Sequence, residues 1–384
     1  MTAALWCWLG FALAIAFGGA AMTLLNRRSF PRLAPQTGEP ASVDLYIAMR
    51  DEAENARACI ESFLSQPELR RAVIVDDASS DDTRAILDRI AREDARVQVY
   101  AVPANAPLQR SPKARALAAA VAAAPLEAPF ALFADADVRA LPGAIGATMN
   151  AGRVLHAGAV TGFPRIRVRD LAAAGCAVLP RMLLLEALPM RAARGSDARF
   201  AAGNGQWFFV ERAAYERSGG HAAIGALVED IALARALKRS GTRVACVDAR
   251  EVVVVEGYAG LRASLDGFGR SLVGELGVLG SLGYALCSLA VATLPVAALV
   301  AWVRVAAAGP ASHLAAALLF TLGALAPRIA WRSAAAAVER PAGMPQPPAA
   351  PFALALGIWV FGLGLRGAVD WRGRRIGRAN PRPL

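Results

Sequence analysis

Phe130-Ala131-Leu132-Phe133-Ala134-Asp135-Ala136-Asp137 is an apolar run that ends on two carboxylates one residue apart. A run of the same kind, Ala72-Val73-Ile74-Val75-Asp76-Asp77, precedes it. Two further acidic clusters bracket the pair, Arg50-Asp51-Glu52 upstream and Glu229-Asp230 downstream. Short apolar runs without polar alternation read as strands buried on both faces. Carboxylates at the tips of such strands are costly to bury unless something binds them. In an open α/β sheet, ligands bind outside the carboxyl ends of the strands. The pattern asks for a nucleotide and a divalent cation.

Outward from these runs, strand and helix patterns alternate. Strands are expected over residues 43–49, 72–75, 97–102 and 130–133, and helices over 52–65, 81–92 and 112–124. Alternation of this kind implies a mainly parallel sheet with helices on both faces. The globular stretch spans 43–275. Within it, residues 171–193 are apolar, dotted with Arg181, Glu186 and Arg191 and interrupted by Pro180 and Pro189. That segment reads as interfacial, lying on a membrane; an ordinary core helix pair is the other reading. No internal repeat is visible.

The 384 residues leave room for one large domain plus extras. At 56% hydrophobic the chain is too apolar for an ordinary soluble enzyme. The net charge of +11 is almost all arginine, since Lys113 and Lys238 are the only lysines. A basic balance fits nucleic acid or an anionic membrane surface. The apolar segments favour the membrane, and nucleic-acid binding is not expected. Cys7, Cys59, Cys176, Cys246 and Cys287 lie far apart without metal-ligand spacing, and read as reduced packing residues.

Residues 3–25 are long and apolar enough to span a bilayer, within an anchor assigned to 1–26. They lack a basic leader region and a cleavage site, so they read as a retained anchor. Arg27, Arg28 and Arg32 follow, which by the positive-inside rule puts the next domain in the cytosol. Residues 276–303 and 305–326 read as a transmembrane hairpin within a C-terminal membrane region, 276–370. Gly309-Pro310 lies near its turn. A proline-rich linker, 341–351, precedes a last apolar run, 352–365, and a basic tail, 371–384. Three C-terminal spans would place that tail outside, against the positive-inside rule; an interfacial or re-entrant last segment removes the conflict. The expected location is the bacterial inner membrane with the catalytic domain cytosolic.

The motifs resemble family 2 glycosyltransferases, inverting enzymes of the GT-A fold, over residues 43–270. Ile47-Ala48-Met49-Arg50-Asp51-Glu52-Ala53-Glu54-Asn55 is similar to the family's I-P-x-R-N-E-x-x-N, departing at Ala48 and Asp51. Val75-Asp76-Asp77-Ala78-Ser79-Ser80-Asp81 is similar to V-D-D-x-S-x-D, and Pro112-Lys113-Ala114-Arg115-Ala116-Leu117 to G-K-x-x-A-L without its first glycine. Asp135-Ala136-Asp137 resembles the D-x-D motif. Gly219-Gly220-His221 and Val228-Glu229-Asp230-Ile231-Ala232-Leu233 resemble G-G-x and E-D-x-x-L. Each piece is weak alone; five in order at strand ends are specific. An N-terminal anchor with C-terminal spans resembles the lipid-glycosylating subgroup, the hopanoid-associated, carotenoid-acid and ceramide glycosyltransferases. The Q-x-x-R-W motif of processive synthases is missing, since the matching region reads Leu265-Asp266-Gly267-Phe268-Gly269-Arg270-Ser271.

The resemblance implies transfer of one sugar from a nucleotide sugar, UDP-linked by family frequency, to a membrane lipid. It assigns Asp137 as metal ligand, with Asp135 on the metal or ribose, and hard oxygen ligands suit Mg²⁺ or Mn²⁺. It places Asp77 on the uracil, Glu52 on ribose or base, and Arg50, Lys113, His221 and Arg270 among the nucleotide-sugar-binding residues. Inversion needs a general base, for which Asp230 is the candidate with Glu229 behind it. Blander roles compete at each position: aspartates cap helices, and a histidine after Gly219-Gly220 is as often structural. Trp207, Phe208 and Phe209 read as core. Two rivals remain, a polyprenyl-phosphate glycosyltransferase and an inactive membrane scaffold on a degenerate nucleotide fold.

Overall fold

The computed structural model describes residues 2–103, 111–308, 311–366, 368–371 and 374–377. The N-terminal half begins with helix α1 (Ala3–Ser29) and continues β1 (Val43–Met49), α2 (Ala56–Leu64), β2 (Leu69–Asp76), α3 (Thr83–Glu93), β3 (Val97–Ala101), α4 (Pro112–Ala123), β4 (Phe130–Ala134), β5 (Val138–Ala140) and α5 (Ala144–Val154). Next come β6 (Ala159–Phe163), β7 (Arg165–Arg167), three short helices α6 (Leu171–Ala177), α7 (Leu179–Ala187) and α8 (Met190–Ala193), then β8 (Trp207–Glu211), α9 (Arg212–Arg217), α10 (Glu229–Arg239), β9 (Val244–Asp248) and β10 (Val253–Glu256). The C-terminal part holds α11 (Gly260–Ala308), α12 (Ala311–Leu325), α13 (Pro327–Ala335), β11 (Val338–Glu339) and α14 (Ala349–Arg366).

The main sheet has seven strands in the order β3-β2-β1-β4-β8-β6-β9. β1 is parallel to β2 and β4, whereas β8 is antiparallel to β4 and β6. Period-two alternation buries both faces. Leu45 and Ile47 of β1, Ile74 of β2 and Leu132 of β4 enter one core with α2 and α5. Tyr46, Val73 and Phe133 point the other way, against α4 and α10. Parallel pairing brings the carboxyl ends of β1, β2 and β4 to one edge. Because β8 runs the opposite way, the loop entering it, Gly203-Asn204-Gly205, reaches that edge as well.

The expected strands and helices are present with shifted ends. α2 starts at Ala56, four residues later than the pattern predicts. Residues 51–55 are held as a turn instead: Asp51 has a positive φ of 52°, and the Glu52 and Ala53 amides donate to Thr83 Oγ1 and Asp81 Oδ2 at 2.8 and 3.1 Å. Trp207, Phe208 and Phe209 are buried in the core, as expected. Cys59, Cys176 and Cys246 are buried and all five cysteines are free.

Among the described residues, four helical segments are long and apolar enough to cross a membrane: Ala3–Ser29, Gly260–Ala307, His313–Ala335 and Ala349–Arg366. Leu9, Ala12 and Ala16 of α1 meet Ala290, Leu294 and Phe320, while Leu279, Val296, Leu299 and Leu322 face outward. Apolar outer surface of this extent needs a non-aqueous neighbour. The expected hairpin is corrected at its first arm. One helix runs from Gly260 to Ala308, bent at Gly277, whose φ of 65° and ψ of −168° belong to a region open essentially to glycine. The proposed turn at Gly309-Pro310 and most of the basic tail lie outside the described residues.

The segment 171–193 forms three helices seated on the apolar ones. Asn26 of α1, 2% exposed, donates to the carbonyls of Leu185 and Leu188 at 2.8 and 2.7 Å and accepts from the Met190 amide at 2.9 Å. β11 then joins β7 in a second sheet, order β11-β7-β10-β5, where Arg167 bridges Glu256 and Glu339 at 2.8 and 2.7 Å. The sheet domain and the apolar helices are therefore laced together at both ends of the chain.

Candidate active site

Four loops meet at the carboxyl edge of the sheet. The first two are sewn to each other. Arg50 Nη1 donates to the carbonyls of Asp77 and Ala78 at 2.6 and 3.0 Å, and Ser80 N donates to Asp51 Oδ1 at 2.7 Å. Ala78 has a φ of 56°, a left-handed conformation that costs a non-glycine residue about 1 kcal/mol. Arg50 thus shapes the loop beneath a ligand. Asp76 is structural, accepting from Ser79 N and Oγ at 3.2 and 2.5 Å. Asp77 is 1% exposed, and its Oδ1 takes an ion pair from Arg115 Nη2 at 3.1 Å. Arg115, from the first turn of α4, went unremarked in the sequence; only its distance from Lys113 along the same helix hinted at it.

The Asp135-Ala136-Asp137 loop follows β4. Asp135 Oδ1 lies 2.5 Å from Lys113 Nζ, while Asp137 Oδ1 is buried with no hydrogen-bond partner among the described residues. Burial, then the charges of Asp135 and Glu52, push the Asp137 carboxyl up to about 8. An orphaned carboxylate oxygen beside two more carboxylates is a place where a cation would relieve both desolvation and repulsion. Glu52 accepts from Asn55 Nδ2 at 2.9 Å, and Asn55 Oδ1 accepts from Arg139 at 3.0 Å. No group of three or more His, Cys, Asp or Glu is arranged to hold a metal ion among the described residues. Asp137 with Asp135 is thus a two-carboxylate site that fits a hard divalent cation whose remaining ligands come from a bound anion or water.

Lys113 ties the carboxylates together. α4 begins with Ser111 as N-cap and Pro112 in the first turn. From there the Lys113 ammonium contacts Asp135, Glu229 Oε1 at 3.2 Å and the Gly205 carbonyl at 3.0 Å. These partners outweigh burial and hold its pKa well above the ordinary lysine value. Glu229 is further fixed by Ser111 Oγ at 3.1 Å.

Asp230 sits in the first turn of α10. Its Oδ2 accepts from Gly205 N at 2.7 Å and its Oδ1 from Ile231 N at 2.8 Å. Burial first, and Glu229 second, push its pKa up to about 6, against the pull of Lys113 and the two amides. Gly203 is required here, because a Cβ would strike the Asp230 backbone. His221 lines the same small pocket as Lys113, Glu229 and Asp230. It is 2% exposed, its Nδ1 shares a 2.9 Å hydrogen bond with Tyr215 Oη, and its ring meets Phe133 edge-on at 4.5 Å. Burial drops its pKa to about 3, so it is neutral. Arg270 of α11 hydrogen-bonds the Tyr258 hydroxyl, on which Asp137 and Asp135 also act. Tyr258 was missed in the sequence, where one tyrosine in a glycine-flanked loop carries no signal.

The structure therefore brings Arg50, Glu52, Asp77, Lys113, Asp135, Asp137, His221, Glu229, Asp230 and Arg270 to one edge. A family described as glycosyltransferase like family 2 has a model that matches residues 40–267. The chain belongs to that family. The fold is GT-A, an α/β domain with a mostly parallel sheet. A solved mannosyltransferase from Pyrobaculum calidifontis, in complex with GDP-Man and Mn²⁺, is similar over 93% of this chain and 99% of its own, at 18% identity and a TM-score of 0.52. Glucosyl-3-phosphoglycerate synthase from Mycobacterium tuberculosis, in complex with Mn²⁺, UDP and glucosyl-3-phosphoglycerate, is similar over 60% of this chain and 78% of its own, at 17% identity and a TM-score of 0.40. A search of curated sequences finds no match.

Proposed function

We propose that this glycosyltransferase moves a single sugar, with inversion, from a nucleotide sugar to a hydroxyl or carboxylate of a membrane lipid. The observation that carries the reading is the convergence of a base-sized polar pair, two metal-type carboxylates and a half-buried, activated carboxylate on one sheet edge, laced to helices apolar enough to lie in a bilayer. Asp77 accepts from an imino N–H, and Arg115 donates to the carbonyl beside it. Uracil and guanine both present that edge; UDP is the assigned nucleotide. Asp137 and Asp135 would hold Mg²⁺ or Mn²⁺, which supplies positive charge against the diphosphate leaving group.

Asp230 takes the proton of the acceptor hydroxyl. The freed oxygen bonds to the anomeric carbon from the face opposite the nucleotide, and the bond from that carbon to the diphosphate oxygen breaks. Gly205 N–H and Ile231 N–H orient the Asp230 carboxylate, while its pKa of about 6 makes it a stronger base than an ordinary aspartate that is still ionised at pH 7. Arg270 and Lys113 lie where they face diphosphate charge. The N-terminus is assigned outside, the GT-A domain in the cytosol of a bacterial cell, and the acceptor at the inner-membrane surface.

Calorimetric titration of the full-length protein with UDP, GDP, ADP and CDP, each with and without Mn²⁺, tests the donor half. Metal-dependent binding of UDP is expected. Preference for GDP would reassign the donor, and no binding of any nucleotide would favour the inactive scaffold.

A further inference from the structure

Lysine occurs twice among the 42 basic residues, and both lysines hold the same segment, 193–205. Lys113 Nζ grips its end at the Gly205 carbonyl, 3.0 Å away. Lys238, on α10 two turns beyond Asp230, is 2% exposed. Its Nζ donates to three backbone carbonyls, Ala193 at 2.7 Å, Phe200 at 3.1 Å and Asp197 at 3.3 Å. An ammonium can aim three donors into one such cradle, whereas a planar guanidinium cannot converge on three carbonyls around a point. Lysine is used here for its shape, in a chain that otherwise prefers arginine.

The segment starts where α8 is docked on the apolar anchor, with Arg194 Nη2 donating to Ser29 O at 2.5 Å. It ends against the base. Asn204 N donates to Thr161 Oγ1 at 2.8 Å and Gly205 N to Asp230 Oδ2 at 2.7 Å. Loss of the cradle removes three of the contacts that fix the path delivering the Gly205 amide to Asp230. Asp77 and Arg115 pair with each other outside this segment, so nucleotide affinity serves as the control.

We propose that Lys238 is a positioning residue for sugar transfer, acting through segment 193–205 to orient the Asp230 carboxylate toward the acceptor. This rests on the glycosyltransfer reading above. The test uses full-length Lys238→Met and Lys238→Arg in detergent with a bacterial lipid extract, measuring kcat and KM for transfer beside nucleotide affinity. Small displacements of catalytic groups cost up to ~100-fold. A loss in kcat of about tenfold or more is expected for both variants, with nucleotide affinity within about twofold of wild type. Unchanged kcat, or nucleotide affinity falling in parallel with kcat, would overturn the assignment. Thr161→Val, which removes only the Asn204 clasp, covers the case in which Lys238→Met does not fold. It should lower kcat severalfold at constant nucleotide affinity, and an unchanged kcat would overturn the proposal. Wild-type protein run alongside separates the two claims: no transfer by wild type refutes the assigned reaction and with it this role, whereas active wild type with an equally active Met variant refutes the Lys238 role alone.

Discussion

Replacing Asp230 by asparagine separates chemistry from architecture. The side chain keeps its size, but it loses the ability to take a proton. Removing a general base costs about 10²–10⁴ in rate, or ~2.7–5.4 kcal/mol of transition-state stabilisation. A smaller structural cost accompanies it. Both Asp230 oxygens accept a backbone N–H, from Gly205 and Ile231, and an amide offers one oxygen, so one buried N–H loses its partner. That is worth about 1–3 kcal/mol of stability, enough to lower the melting temperature without unfolding the domain. Nucleotide affinity should stay near wild type, because Asp77, Arg115 and Asp137 are untouched. The assay is nucleotide release coupled to lipid product, with nucleotide binding measured on the same preparation. Transfer within a few-fold of wild type would refute the base assignment. It would point to a lipid phosphate as acceptor, already ionised and in no need of a base.

Asp137→Ala should abolish metal-stimulated transfer together with the thermal stabilisation that Mn²⁺ gives the wild type; retained metal stimulation would refute the ligand role. Transfer should decline on the acid side with a midpoint of about 6, set by Asp230: the base works only when ionised, so activity is full above that pH and drops about tenfold per unit well below it, and a flat profile down to pH 5 would contradict the assignment. Asp44 is fully buried. Burial opposes its charge, but hydrogen bonds from Arg70 and the Glu127 and Ala128 amides, with the charge of Arg71, hold its pKa below the ordinary value. Its contribution is therefore present above the unfolded carboxylate pKa and lost as pH falls through the folded one. Asp44→Ala leaves the 8%-exposed Arg71 with Glu127 and the Pro125 carbonyl but without its buried carboxylate, and should cost about 1–3 kcal/mol in denaturant unfolding; no measurable loss would refute that account.

Much of the domain was legible because its signals are local. The runs at 72–75 and 130–133 are apolar on both faces, which only a sheet covered on both sides requires, and the carboxylates at their ends mark the edge where ligands bind. The insertion of β8 antiparallel between β4 and β6 was not legible. Register depends on partners far apart in sequence, such as Ala134 and Trp207. The same limit hid the site's supports. Arg115 reaching Asp77, Tyr258 reaching Arg270 and Lys238 gathering three carbonyls are each long-range contacts made by residues that look like surface positions in the sequence. Likewise, His221 and Arg50 sit inside recognisable motifs, but their partners, Tyr215 and the carbonyls of Asp77 and Ala78, were not visible there. The Gly277 bend also escaped, because its long helix is apolar on both sides of the glycine and hydropathy alone does not register a change of direction.

Transfer to lipid is the central claim, and mass spectrometry reads it directly. Detergent-purified protein is given a bacterial lipid extract, Mn²⁺ or Mg²⁺ and a panel of UDP- and GDP-sugars. The account predicts a lipid heavier by one sugar residue, formed only with metal and only from nucleotide donors. No such lipid from any donor, with no nucleotide released, would contradict it.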